Sequence, residues 1–78
     1  MSIDALAVVI DALAAVAPDA DPTRLDDDLN EDLALDSMDL LNLAAAITER
    51  CAVEIPERDY GRLRTLRQLA EFVAVRAG

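Results

Sequence analysis

Ser37 stands between Asp36 and Met38, with Asp39 next, at the head of an apolar run. A hydroxyl in that setting could be a nucleophile, a helix cap or a point of attachment. A nucleophile needs a base, yet the chain has no histidine, and all seven of its basic residues are arginine. A Ser-His-Asp triad and a Ser-Lys dyad are therefore excluded. Cys51 lacks a histidine partner for the same reason and falls within an apolar helical stripe, where packing is its expected job. No catalytic residue is expected, and the chain is not read as an enzyme.

Metal chemistry fares little better. Asp26-Asp27-Asp28-Leu29-Asn30 matches the opening ligands of a calcium loop, D-x-D-x-N. The glycine position, however, holds Glu31, and the bidentate glutamate position holds Ser37 itself. No dedicated metal site is expected, and loose divalent binding to the acidic cluster would be electrostatic. Two uses of Ser37 stay open. Serine is a favoured N-cap. A hydroxyl at a helix start is also exposed, and the first-turn N–H groups and the helix dipole would favour a phosphodiester there. Asp36 and Asp39 oppose such an anion, so they call for another reason, such as a basic partner.

The elements that must position Ser37 follow from periodicity. Residues 3–17 read as a helix with Ile3, Leu6, Ala7, Ile10, Leu13 and Ala14 on its apolar stripe, Ser2 as N-cap, Asp4 in the first turn and Pro18 as the stop. Residues 18–36 read as a long loop, rich in aspartate and broken by Pro18 and Pro22, with Leu25, Leu29, Leu33 and Leu35 holding it to the core. A loop of that length in a compact domain is usually functional. Residues 37–51 form a second helix capped by Asp36 or Ser37. Leu40, Leu43, Ala44, Ile47 and Cys51 make one stripe and Met38, Leu41 and Ala45 another. The second stripe is either packed or an exposed docking patch. Val53–Pro56 is extended, since the residue before proline avoids the helical region. Residues 57–62 hold at most a short helix interrupted at Gly61. Thr65-Leu66-Arg67-Gln68 is a capping box opening a last helix buried through Leu66, Leu69, Ala70 and Val73. The class is all-α: three main helices, a short third one in chain order, and a long loop between the first two, in one domain spanning residues 1–78.

Composition agrees. Over half of the 78 residues are apolar, enough for a core, and Tyr60 and Phe72 are the only aromatics. A domain of this size buries only about 60% of its unfolded surface, so modest stability is expected. The net charge of −9 is unevenly spread: residues 1–42 hold eleven acids against Arg24 alone. Such a field repels nucleic acid and attracts basic protein surfaces, and salt should relieve its self-repulsion. A single cysteine allows no internal disulfide. No basic leader or membrane-length apolar run is visible, which points to a soluble cytoplasmic protein, and a monomer is expected.

Glu31-Asp32-Leu33-Ala34-Leu35-Asp36-Ser37-Met38-Asp39 resembles the acyl carrier protein signature D-L-G-x-D-S-[LM]-[DE]. The resemblance extends over the whole chain, through the long first loop, Ile55-Pro56 after the second helix and Thr65-Leu66 opening the last. It implies a four-helix bundle of acyl carrier type with a short third helix. It implies that Ser37 is esterified by 4′-phosphopantetheine, transferred from coenzyme A by a Mg²⁺-dependent phosphopantetheinyl transferase. The thiol of that arm would hold an acyl group as a thioester. Asp36, Met38, Asp39, Leu41 and Ala45 would form the surface that meets acyl-activating and acyl-transferring enzymes with basic docking faces. In many carriers the acyl chain enters the apolar core between helices.

The chain departs from the family pattern in places. Ala34 replaces the usual glycine. Asn42 and Thr48 stand where acids are common, and Arg50 is basic. Arg58, Arg62, Arg64 and Arg67 surround the third helix and the start of the fourth, as solvated surface or as a selector of partners. These departures point away from housekeeping fatty acid synthesis, toward a carrier for a specialised lipid or polyketide pathway. An aminoacyl, D-alanyl or peptidyl carrier is the alternative, and an unmodified acidic helical adaptor, with Ser37 only a cap, is the third reading.

Overall fold

The computed structural model describes residues 4–77. Three α-helices form the frame: α1 (Ala5–Val16), α2 (Ser37–Cys51) and α3 (Leu66–Ala77). The short third element of the expected four-helix bundle is a single 3₁₀ turn, Glu57–Asp59, and no strand occurs among the described residues. α1 packs against both α2 and α3, whereas α2 and α3 meet directly at few points. The space between them is filled by the long loop and by the 3₁₀ segment.

α1 begins later than its periodicity suggests. Asp4, expected in the first turn, is the N-cap, and its carboxylate accepts the Ala7 N–H at 3.1 Å. The expected cap Ser2 lies outside the described residues, as does Ile3. The buried face is Ala5, Val9, Ala12 and Leu13, while Ala7 and Ala14 are exposed and Leu6 and Ile10 half-buried. The expected stripe is thus rotated. Asp11 is the only polar residue inside this helix, so several apolar stripes are equivalent in sequence, and packing on α2 and α3 selects among them. Ala17 caps the C-terminus through its N–H to the Leu13 carbonyl at 2.7 Å, and Pro18 prevents continuation.

α2 has the expected bounds. Its core face is Leu43, Ala44, Ala46 and Ile47, with Leu40 and Cys51 only half-buried. Ala52 ends it in the left-handed conformation, φ 59°. The loop lies on the core as its leucines require: Leu29, Leu33 and Leu35 are buried and Leu25 half-buried. Val53 and Ile55 are buried along the extended segment. Leu66, Leu69 and Val73 anchor α3. Only half of its expected capping box forms. Thr65 Oγ1 accepts the Gln68 N–H at 3.1 Å, but Gln68 Oε1 reaches past Thr65 to accept the Arg64 N–H at 2.8 Å.

Candidate functional site

The loop ends in a fixed approach to α2. The Asn30 side-chain amide donates to the Leu35 carbonyl at 2.7 Å, and the Leu35 N–H donates to the Leu29 carbonyl at 2.9 Å. Between them Ala34, at the family's glycine position, has φ 59°. That is the left-handed region, costly for a residue with a Cβ. A turn is needed there to send both Leu33 and Leu35 into the core.

At the helix start the question about Ser37 resolves in part. Asp36 is the N-cap. Its Oδ1 accepts the Asp39 N–H at 2.9 Å, and Asp39 Oδ2 accepts the Asp36 N–H at 3.2 Å, a reciprocal box. Ser37 is therefore not the cap but the first helical residue. Its hydroxyl is exposed, with no intramolecular hydrogen bond among the described residues. The Ser37 and Met38 N–H groups belong to the first turn, where donors lack helical acceptors. An attached phosphodiester fits this place: a free hydroxyl, nearby N–H donors and the positive end of the helix dipole. The two aspartates also need no partner to explain them, because each caps the other.

The remaining predicted residues separate into two groups. Met38 (62% exposed), Leu41 (41%) and Ala45 lie at i, i+3 and i+7 on one open face of α2. Leu41 and Ala45 line an open groove that continues to Pro56 and Glu57. Asp39 faces elsewhere, into a groove formed with Val16, Ala20, Leu33 and Leu35. The structure thus joins Met38, Leu41 and Ala45, with Ser37 and Asp36 at their head, and leaves Asp39 round the helix from them.

The arginines are largely committed within the chain. Arg64 Nε and Nη2 both lie 2.7 Å from Asp28 Oδ2. Arg67 forks onto Asp26 at 2.6 and 3.2 Å, and Arg62 pairs with the buried Asp59 at 2.6 Å. Arg62, Arg64 and Arg67 are solvated surface that is also paired: Arg64 and Arg67 tie the long loop to the start of α3, Arg62 makes a local pair, and of the four arginines only Arg58 has no ion pair of this kind among the described residues. The Arg64 and Arg67 guanidinium groups hold the Asp28 and Asp26 carboxyls below their ordinary pKa, Asp28 being helped by the Asn30 and Glu31 N–H groups. The calcium-like run is thereby engaged with arginines, and among the described residues no group of three or more His, Cys, Asp or Glu converges as metal ligands.

Sequence reasoning missed the seam between α2 and α3. A narrow cleft of about 20 Å³ lies there, walled by Leu29, Leu40, Leu43, Ile55, Leu63 and Leu69. Tyr60 stands at its edge, and burial, then the charge of Glu57, push its phenol above the ordinary pKa. The wall residues come from four segments with no common spacing, so periodicity carries no signal for it. No helix among the described residues is long and apolar enough to cross a membrane.

The comparisons with known proteins meet this geometry. The family model described as a phosphopantetheine attachment site matches residues 7–73. An acyl carrier protein of Streptomyces coelicolor is 42% identical, over 87% of this chain and 80% of the relative. Those of Campylobacter jejuni (strain 81-176) and Chlamydia trachomatis are each 33% identical, over 90% and 94% of this chain and 87% and 91% of theirs. The family brings its covalent cofactor, 4′-phosphopantetheine, and sets aside the unmodified adaptor. With a free hydroxyl at a helix start, no internal base and a match over nearly all of its length, the chain belongs to the acyl carrier protein family, as a non-catalytic carrier that works with modifying and acyl-transferring enzymes.

Proposed function

We propose that Ser37 is the residue esterified by 4′-phosphopantetheine, and that the carrier serves a specialised lipid or polyketide pathway. The observation that carries the first part is the division of labour at the start of α2. Asp36 and Asp39 cap the helix, which leaves the Ser37 hydroxyl exposed and unused. When bound, the arm supplies a terminal thiol that holds the acyl group as a thioester. The protein's own residues hold the attachment point rigidly and present Met38, Leu41 and Ala45 beside it as an apolar docking strip for enzymes with basic faces.

Two departures from the family support the specialised pathway. Asn42 is exposed on α2 where acids are common, and Arg50 adds a positive charge near its end, bonded to the Ala46 carbonyl at 3.1 Å. Thr48 carries less weight, because its hydroxyl serves the fold, donating toward the Ala44 and Val53 carbonyls at 3.1 and 2.8 Å. The one-domain reading and a location in the cytoplasm belong to the same proposal.

The test is an intact mass after incubation with coenzyme A, Mg²⁺ and a broad-specificity phosphopantetheinyl transferase, with Ser37→Ala alongside. One added phosphopantetheine on the wild type and none on the variant is expected. A gain that survives Ser37→Ala, or no gain with several transferases, would overturn the assignment. Ser37→Asp should abolish loading yet leave stability within about 0.5 kcal/mol, as an exposed residue outside the cap.

A further inference from the structure

The cleft lies directly along the helix from Ser37. Leu40 and Ala44, at i+3 and i+7 from Ser37, share its face of α2 and line the inner cleft. That cleft opens into an outer recess of about 170 Å³. The two share Leu29, Leu40, Tyr60 and Leu63, and the recess adds Asp28, Asn30 and Arg64. Apolar walls thus lie inside and polar groups at the opening. The Arg64–Asp28 bond joins loop to α3 entry across 36 residues of sequence, and both of its partners line the recess.

The two partners differ in freedom. Asp28 is fixed: its Oδ1 accepts the Asn30 and Glu31 N–H groups, both at 2.9 Å, and its own N–H donates to Asp32 Oδ2 at 2.8 Å. The Arg64 backbone is fixed as well, its carbonyl accepting the Leu29 N–H at 2.8 Å and its N–H donating to Gln68 at 2.8 Å. The Arg64 guanidinium is not. Its side chain is 53% exposed and Asp28 is its hydrogen-bond partner. An exposed pair of this kind is weak and readily exchanged for water. The arm can therefore swing away while the loop keeps its backbone bonds.

We infer that the Arg64–Asp28 pair is a latch across the mouth of the seam, and that release of Arg64 admits the aliphatic tail of the cargo. Arg64 is then a gating residue that sets how much of the acyl chain is sheltered and how much is offered to enzymes. Burial of the tail against Leu40, Leu63 and Leu69 drives entry; the latch opposes it. The inference rests on the carrier reading. The molecule supplies its own control: Arg67–Asp26 is an exposed pair between the same two segments, at 2.6 Å, yet neither residue lines the cleft or the recess.

The experiment loads octanoyl-phosphopantetheine onto the wild type, Arg64→Gln, Arg64→Lys and Arg67→Gln, and verifies each by intact mass. Two readouts follow: the change in Leu40 and Leu63 methyl chemical shifts on loading, and the rate of thioester cleavage by hydroxylamine. Arg64→Gln should enlarge the shifts and slow cleavage at least threefold, while Arg64→Lys and Arg67→Gln stay near the wild type. Equal behaviour of Arg64→Gln and the wild type overturns the latch, as does an Arg67→Gln that matches Arg64→Gln. Failure of the wild type to accept the group overturns the carrier reading and the latch with it.

Discussion

α2 has two unlike flanks. Toward α1 it is closed: Ile47 meets a core containing Val9 and Leu13, all at most 1% exposed, and none of the three lines a cavity. Toward α3 it is bridged by irregular chain, and the half-buried Leu40, Tyr60 and Leu63 surround a cleft. The difference teaches how one short helix can be both rigid and yielding. Helix-on-helix packing fills space with regular ridges and grooves. Loop and 3₁₀ turn cannot interdigitate as regularly, so room remains on that side, next to Ser37. The first flank fixes the position of Ser37, and the second leaves space beside it.

Substitutions should separate the flanks by size of effect. Leu13→Ala removes a fully buried side chain from the closed flank and should cost about 2–5 kcal/mol in urea unfolding. Leu40→Ala, half-buried at the cleft, should cost about 1 kcal/mol or less. Equal losses would show that the flanks are packed alike and remove the contrast.

Acid should act on the bridged flank next. Asp26 and Asp28 have lowered folded pKa values. Their contribution to stability is therefore fully present above the unfolded value of about 3.9 and is lost as pH falls through the folded values. A series of melting temperatures from pH 5 downward should show an acid limb that is shallower in the Arg64→Gln, Arg67→Gln double variant. Matching limbs would mean that these pairs do not stabilise the fold.

The smallest expected effect is a gain. Ala34→Gly relieves a left-handed alanine but adds freedom to the unfolded chain, so it should stabilise by up to about 1 kcal/mol. A loss on that substitution would mean that the approach to Ser37 is not strained.

Much of this was legible beforehand. The bounds of α2 follow from a capping aspartate and strong periodicity, whereas periodicity left the stripe of Met38, Leu41 and Ala45 either packed or exposed, and the structure shows it open. The buried face of α1 was not legible, because a helix apolar nearly all round has no unique stripe. The roles of Asp36 and Asp39 were legible only in part: a box needs both side chains turned inward, and spacing alone allows a serine cap instead.

The sequence by itself determined the helices, the loop between them, the chemistry ruled out for want of histidine and lysine, and the serine at the head of α2. Those are local matters, set by residue type and by neighbours within a turn or two of chain. Only the tertiary structure decided that the loop aspartates belong to Arg64 and Arg67, 36 and 41 positions distant, and that a cleft remains between α2 and α3. Long-range pairing and leftover space depend on how elements meet in three dimensions, and no spacing along one segment encodes either.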